Sequence, residues 1–293
     1  DVDERNSHII EFIDCFDVTF RNLKVDMAGV DRYGGVTFYG GERLRVEDCL
    51  FTNSKVDLKS RTDRMAILFC GCRDVWFANN TVEFLQVEFN HVRTAHFLNN
   101  KLYKPIHNGI VYATITEGSY AEEVVIANNI IDDPMGIGIG FGLDIGFHRV
   151  RINKILIQNN MLICHSDNVP QTDTIAINFG TRPFVRTSSS GYWSDITIAD
   201  NQIIHYAGTG NQEFVGINMS LPANAQYHFQ NVAVRDNQIV SYGETNADEP
   251  VHYVWPDGEE SNEFPEWREG FGGIFTQGLA HSVIEGNAVR GLP

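Results

Sequence analysis

Residues 124–131 read VVIANNII and residues 155–162 read ILIQNNML, an apolar alternation that breaks at an Asn pair and then resumes. The same phrase recurs as VTFRNLKV (18–25), LRVEDCLF (44–51), VWFANNTV (75–82), AHFLNNKL (95–102), ITIADNQI (196–203), VAVRDNQI (232–239) and SVIEGNAV (282–289). Aligned, the phrases place Asn22, Asp48, Asn79, Asn99, Asn128, Asn159, Asp200, Asp236 and Gly286 at one position, at intervals of 20 to 50 residues. Strand alternation with a fixed polar corner, repeated at unequal intervals, is the signature of a solenoid whose coils keep their strands while their loops vary. A second short strand precedes each phrase: IIEFI, VTFYG, AILFC, VEFN, GIVYA, GIGIGF, TIAINF, FVGINM and GGIFTQ. The expectation is an all-β, single-stranded, right-handed parallel β-helix of about nine coils, one domain over residues 1–293, with long loops in the C-terminal half. At the corner, Asn tolerates a left-handed backbone, and its amide is expected to bond its counterpart one coil away.

Composition agrees. With 293 residues and 43% apolar content the chain can bury a large core. A net charge of −16 argues against nucleic acid or an anionic membrane as partner. No apolar run reaches the roughly 18 residues of a membrane span. The chain opens without Met in an already patterned segment, so an upstream piece is expected to have been removed. Five cysteines lack paired metal-ligand spacing and are read as buried or unpaired thiols.

Alternation within the first strand sends Phe12, Phe38, Phe69, Phe89, Tyr112, Ile139, Ile177 and Ile217 inward. It turns Glu11, Tyr39, Glu88, Asn90, Asn178 and Asn218 outward, a polar surface of sugar size. Just before the strand stand Asn108, Asp173 and Glu213, with Asp133 a little upstream. Insertions concentrate toward the C-terminus: Arg182 to Trp193, Leu221 to Gln230, and Gly243 to Gly270. The third holds half of the net charge and interleaves its acids with Tyr253, Trp255, Phe264 and Trp267. Such aromatics either stack on a sugar ring or anchor the loop to the wall. Its acids also suit calcium by composition, without EF-hand spacing, and the metal ligands stay unassigned.

The nine phrases resemble the right-handed β-helix proteins of the pectin-lyase-like superfamily from about Ile9 to Val289. TDTIAINFG (172–180) is similar to the polygalacturonase phrase in which two aspartates precede a C-I-A-I strand, with Asp173 matching the second acid and Thr172 in place of the first. HNGIVYA (107–113) is similar to that family's N-T-D-G-I phrase, with Asn108 in place of its Asp. The resemblance implies a polysaccharide or oligosaccharide substrate, a location that is extracellular, periplasmic or in a phage virion, and a monomer or homotrimer.

Glycoside hydrolysis needs one protonated carboxyl to serve the leaving oxygen and one ionised carboxylate as nucleophile or base, with no cofactor. The expected catalytic set is Asp173 with Glu213 or Asp133, supported by Asp144 or His148. Glu88, Asn90, Asn108, Asn178, Arg182, Asn218, Trp255 and Trp267 are the expected substrate contacts. Two alternatives stand beside hydrolysis. One is β-elimination on a uronate polymer, using a base from Lys59, Arg64, His91, Arg93, Lys104 or His107; the other is glycan binding without catalysis by a tailspike or adhesin.

Overall fold

The computed structural model describes residues 10–27, 35–55, 66–106, 108–112, 118–143, 150–165, 174–181, 191–207, 214–220, 229–243, 272–276 and 278–291. They form three sheets in which every pairing is parallel, and each turn of chain contributes one strand to each sheet, the last turn splitting its second-sheet strand into Leu279–Ala280 and Val283–Glu285, giving nine coils of a right-handed β-helix. The first sheet stacks Ile10–Ile13, Val36–Tyr39, Ala66–Cys70, Gln86–Asn90, Ile110–Tyr112, Ile137–Leu143, Thr174–Thr181, Phe214–Ser220 and Gly272–Thr276. The second runs from Thr19–Arg21 to Val283–Glu285, and the third from Lys24–Asp26 to Ala288–Arg290. No helix occurs among the described residues, so none there is long and apolar enough to cross a membrane.

Period-two alternation fills the interior from all three sheets. In the first sheet, Phe12, Phe38, Phe69, Phe89 and Tyr112 form one inward file, as expected. It continues through Phe141, Phe179 and Met219, whereas Ile139, Ile177 and Ile217 belong to the adjoining inward file with Ile110. The cause is strand length. First-sheet strands grow from three residues at Ile110–Tyr112 to seven or eight in the next three coils, so counting from the first aliphatic slips the register by two. A slip of two keeps the face and changes only the file. Phe38 stacks on Phe69 at 4.9 Å and Phe141 on Phe179 at 4.7 Å between ring centroids. Where this sheet meets the third, backbones approach closely: a Cβ on Gly138 would lie 2.6 Å from both the Ala176 carbonyl oxygen and Leu162 Cδ2.

The corner between the second and third sheets explains the repeated phrase, with one correction. All nine aligned positions are left-handed, from Asn99 at φ 54° to Gly286 at φ 66°. The amide ladder, however, is built by the following residue: Asn80, Asn100, Asn129, Asn160, Asn201, Asn237 and Asn287. A left-handed corner turns the first side chain toward solvent and the second into the core, so one residue cannot fill both roles. Asn160 illustrates a rung. Its Oδ1 accepts from the Asn129 backbone N–H at 3.0 Å and from Asn129 Nδ2 at 2.9 Å. Its Nδ2 donates to the Ile126 carbonyl at 2.9 Å and to Asn201 Oδ1 at 3.0 Å. Leu23 and Cys49 hold the ladder position in the first two coils, and the Cys49 N–H starts the ladder by donating to Asn80 Oδ1. All five cysteines are free thiols, as expected.

Candidate functional site: the outer face of the first sheet

The outer faces of the three sheets differ in chemistry. On the second, exposed ion pairs link neighbouring coils, among them Arg21 with Asp48 at 2.9 Å and Lys154 with Glu123 at 2.7 Å. Such solvent-exposed pairs are screened by water and add little to stability. On the third, His165, Tyr206 and Tyr242 stack in an outward ladder with centroids 4.9 and 5.5 Å apart, the two tyrosines exposed. The first sheet differs in that its outer face holds buried polar side chains on several coils: Thr37, Asn90, Asn178 and Asn218 point away from the core yet are buried, while Glu11 and Phe275 toward its two ends are exposed.

Register orders this face into files. Glu88, Val111, Gly140, Asn178 and Asn218 occupy one file on five successive coils. Asn218 Nδ2 donates to Asn178 Oδ1 at 2.7 Å, tying two coils together from outside. A neighbouring file holds Tyr39, Cys70 and Asn90. Burial, together with Cys70 and Glu11, pushes the Tyr39 hydroxyl above its ordinary pKa, and burial raises that of the Cys70 thiol. On Gln86–Asn90, Gln86, Glu88 and Asn90 alternate with the core residues Val87 and Phe89 and so share the outer side. Gln86 Nε2 donates to Glu88 Oε1. Gln86 Oε1 and both polar atoms of the Asn90 amide are buried without a hydrogen-bond partner.

Of the expected substrate contacts, the structure therefore brings Glu88, Asn90, Asn178 and Asn218 to one face. Asn108 stands at its margin as a brace, its Oδ1 accepting from the Ile137 N–H at 3.0 Å. Asp133 is buried at the corner between the third and first sheets, in a left-handed conformation, with its carboxylate 3.6 Å from Lys104 Nζ. Asp173, Glu213, Asp144, His148, Arg182, Trp255 and Trp267 lie outside the described residues. The residues that follow the first two, Thr174 and Phe214, are register partners on adjacent coils. Among the elimination candidates, Lys104 is paired with Asp133, and His91 packs edge-on against Tyr120 at 5.3 Å with its pKa lowered by burial. Lys59, Arg64 and His107 lie outside the described residues.

Two groups escape the sequence reading. Gln86 was detectable by stepping back two residues from Glu88, but only with the strand start known. The other is internal: Cys164, His205 and Ser241 occupy one inward file of the third sheet, with His205 Nδ1 2.9 Å from Ser241 Oγ and its ring stacked on Phe214 at 4.0 Å. Its signal is the alternation in QIIHY, which sends His205 to the same side as Ile203. No group of three or more His, Cys, Asp or Glu side chains placed to hold a metal occurs among the described residues. No protein-family model, no curated protein and no solved structure matches this chain.

Proposed function

We propose that this β-helix is a glycoside hydrolase whose polysaccharide lies along the outer face of the first sheet. The observation supporting this reading is the row of buried amides, Asn90, Asn178 and Asn218, on the outer side of the first sheet, with the Glu88 carboxylate beside them. A glycan presents hydroxyls at a repeat of a few ångströms, and coils stacked about 4.8 Å apart present side chains at a similar spacing. The reaction requires two carboxyls flanking the scissile bond, about 5 Å apart for retention and about 6.5–9.5 Å apart for inversion. Asp173 and Glu213 directly precede register partners on adjacent coils, which suits them to that pairing. Asp133 sits at the corner between the third and first sheets with its carboxylate 3.6 Å from Lys104 Nζ, away from the strand starts that Asp173 and Glu213 precede. Glu213 is therefore the preferred partner of Asp173.

Elimination on a uronate is less well supported. Among the described residues, none of the nine first-sheet strands contains Lys, Arg or His to act as base or to neutralise a substrate carboxylate. The test is product analysis on a polysaccharide panel. Hydrolysis gives new reducing ends without ultraviolet-absorbing unsaturated ends, and Asp173→Asn is expected to slow it by roughly a thousandfold. Unsaturated products would replace hydrolysis by elimination, and full activity in Asp173→Asn would remove the lead acid.

A further inference from the structure

We infer that the outer side of Gln86–Asn90 is a subsite for an uncharged, hydroxyl-bearing sugar residue, centred on the Asn90 amide. The inference rests on the glycan reading above and specifies which sugar that face accepts and where it is held. Asn90 is 0% exposed, and neither its Oδ1 nor its Nδ2 meets a hydrogen-bond partner; Gln86 is 1% exposed, and its Oε1 has none. Buried amides in folded proteins are almost always paired, and the seven corner asparagines of this chain follow that rule. Two incompletely paired amides on one side of one strand therefore mark a place where the partner comes from outside the chain.

The unused valences specify that partner. Asn90 offers two N–H donors and one acceptor oxygen, and Gln86 adds a second acceptor. Vicinal hydroxyls complement this set: one donates to Asn90 Oδ1 while its neighbour accepts from Nδ2, and a further hydroxyl donates to Gln86 Oε1. A carboxylate only accepts, so one seated on this set would leave both amide oxygens unpaired; the group held here is therefore an uncharged, hydroxyl-bearing one.

Calorimetric titration of the full chain against neutral oligosaccharides (cello-, xylo-, manno- and malto-series) and uronate oligosaccharides (galacturonate and mannuronate series) tests the subsite. Wild type is expected to bind a neutral series. Asn90→Leu, similar in volume, is expected to weaken that binding at least tenfold while melting at or above the wild-type temperature, since an unpaired buried amide is replaced by apolar surface. Neutral binding that survives Asn90→Leu unchanged would overturn the subsite, reducing Asn90 to the host of a structural water and leaving the glycan reading in place. Preference for the uronates would overturn the sugar class alone. Absence of binding to either set would remove the glycan reading and the subsite with it. Should Asn90→Leu fail to fold, Gln86→Met puts the second amide to the same test, with the same tenfold loss expected and unchanged binding again overturning the subsite.

Discussion

Two sets of buried asparagines in this molecule share residue type and burial but differ in hydrogen bonding. Along the corner between the second and third sheets, each interior rung such as Asn160 has both amide atoms bonded to the coils above and below. On the outer face of the first sheet, Asn218 Nδ2 donates to Asn178 Oδ1 at 2.7 Å, and the Asn90 amide has no partner. A buried amide stabilises a fold only where the fold supplies its partners, and otherwise it carries a desolvation cost. The corner asparagines therefore explain why the chain coils. Asn90 weakens the coil that holds it, and that cost is what makes it informative about ligands.

The largest expected effect comes from breaking the paired set in its middle. Asn160→Ala leaves the Asn129 N–H and one Asn129 Nδ2 hydrogen without partners in the interior and takes one donor from the Ile126 carbonyl. At about 1–3 kcal/mol for each orphaned group, the loss should be about 4 kcal/mol in urea denaturation. Asn287→Ala at the last coil provides the control. Its rung is only part-buried and, among the described residues, the ladder carries no asparagine after it, so about 1–2 kcal/mol is expected. Equal losses at the two sites would mean that the ladder does not act as a buried network.

His205 sharpens the contrast with a group that is both buried and ionisable. Burial between Cys164 and Ser241 pushes its pKa down to about 4, so the folded protein holds the imidazole neutral. The unfolded chain protonates near pH 6.5. The folded pKa lies below the unfolded one, so this contribution is fully present above about pH 6.5. It is lost as the pH falls from there toward 4, by up to about 3 kcal/mol. His205→Gln should flatten that part of the stability profile without improving stability at pH 8. A profile between pH 7 and pH 4.5 that is the same in wild type and variant would show that His205 is solvated in the folded state.

Much of the architecture is legible in the chain because a period of two and a left-handed corner both act locally. Nine phrases become nine coils, and the corner positions from Asn22 to Gly286 are all left-handed. The division of labour within the Asn pair is not legible, because the same residue type suits a left-handed corner and a buried ladder, and only the stacked coils separate them. Inward files are legible as a face but not as a register, since strand length changes between Ile110–Tyr112 and Ile137–Leu143. Outward alternation identifies Glu88, Asn90, Asn178 and Asn218. It misses Gln86, where the short corner Phe84–Leu85 hides the strand start, and it cannot reveal that Asp133 meets Lys104 across 29 residues of chain.

The smallest effect tests the two members of one Asn pair against each other. Asn159 sits at φ 54° with its side chain in solvent, while the adjacent Asn160 is buried in the ladder. A left-handed non-glycine residue without a short polar side chain costs about 1–2 kcal/mol, so Asn159→Ala should lose about 1 kcal/mol. Asn159→Gly should fall within a few tenths of wild type, because relief of strain offsets the added freedom of the unfolded chain. The molecule already makes that exchange in its last coil, where Gly286 takes the same corner at φ 66°. If Asn159→Ala proved as damaging as Asn160→Ala, the first residue of the pair would have to carry hydrogen bonds as well as backbone shape. The separation of corner from ladder would then fail, and with it the standard against which the unpaired amide of Asn90 is judged.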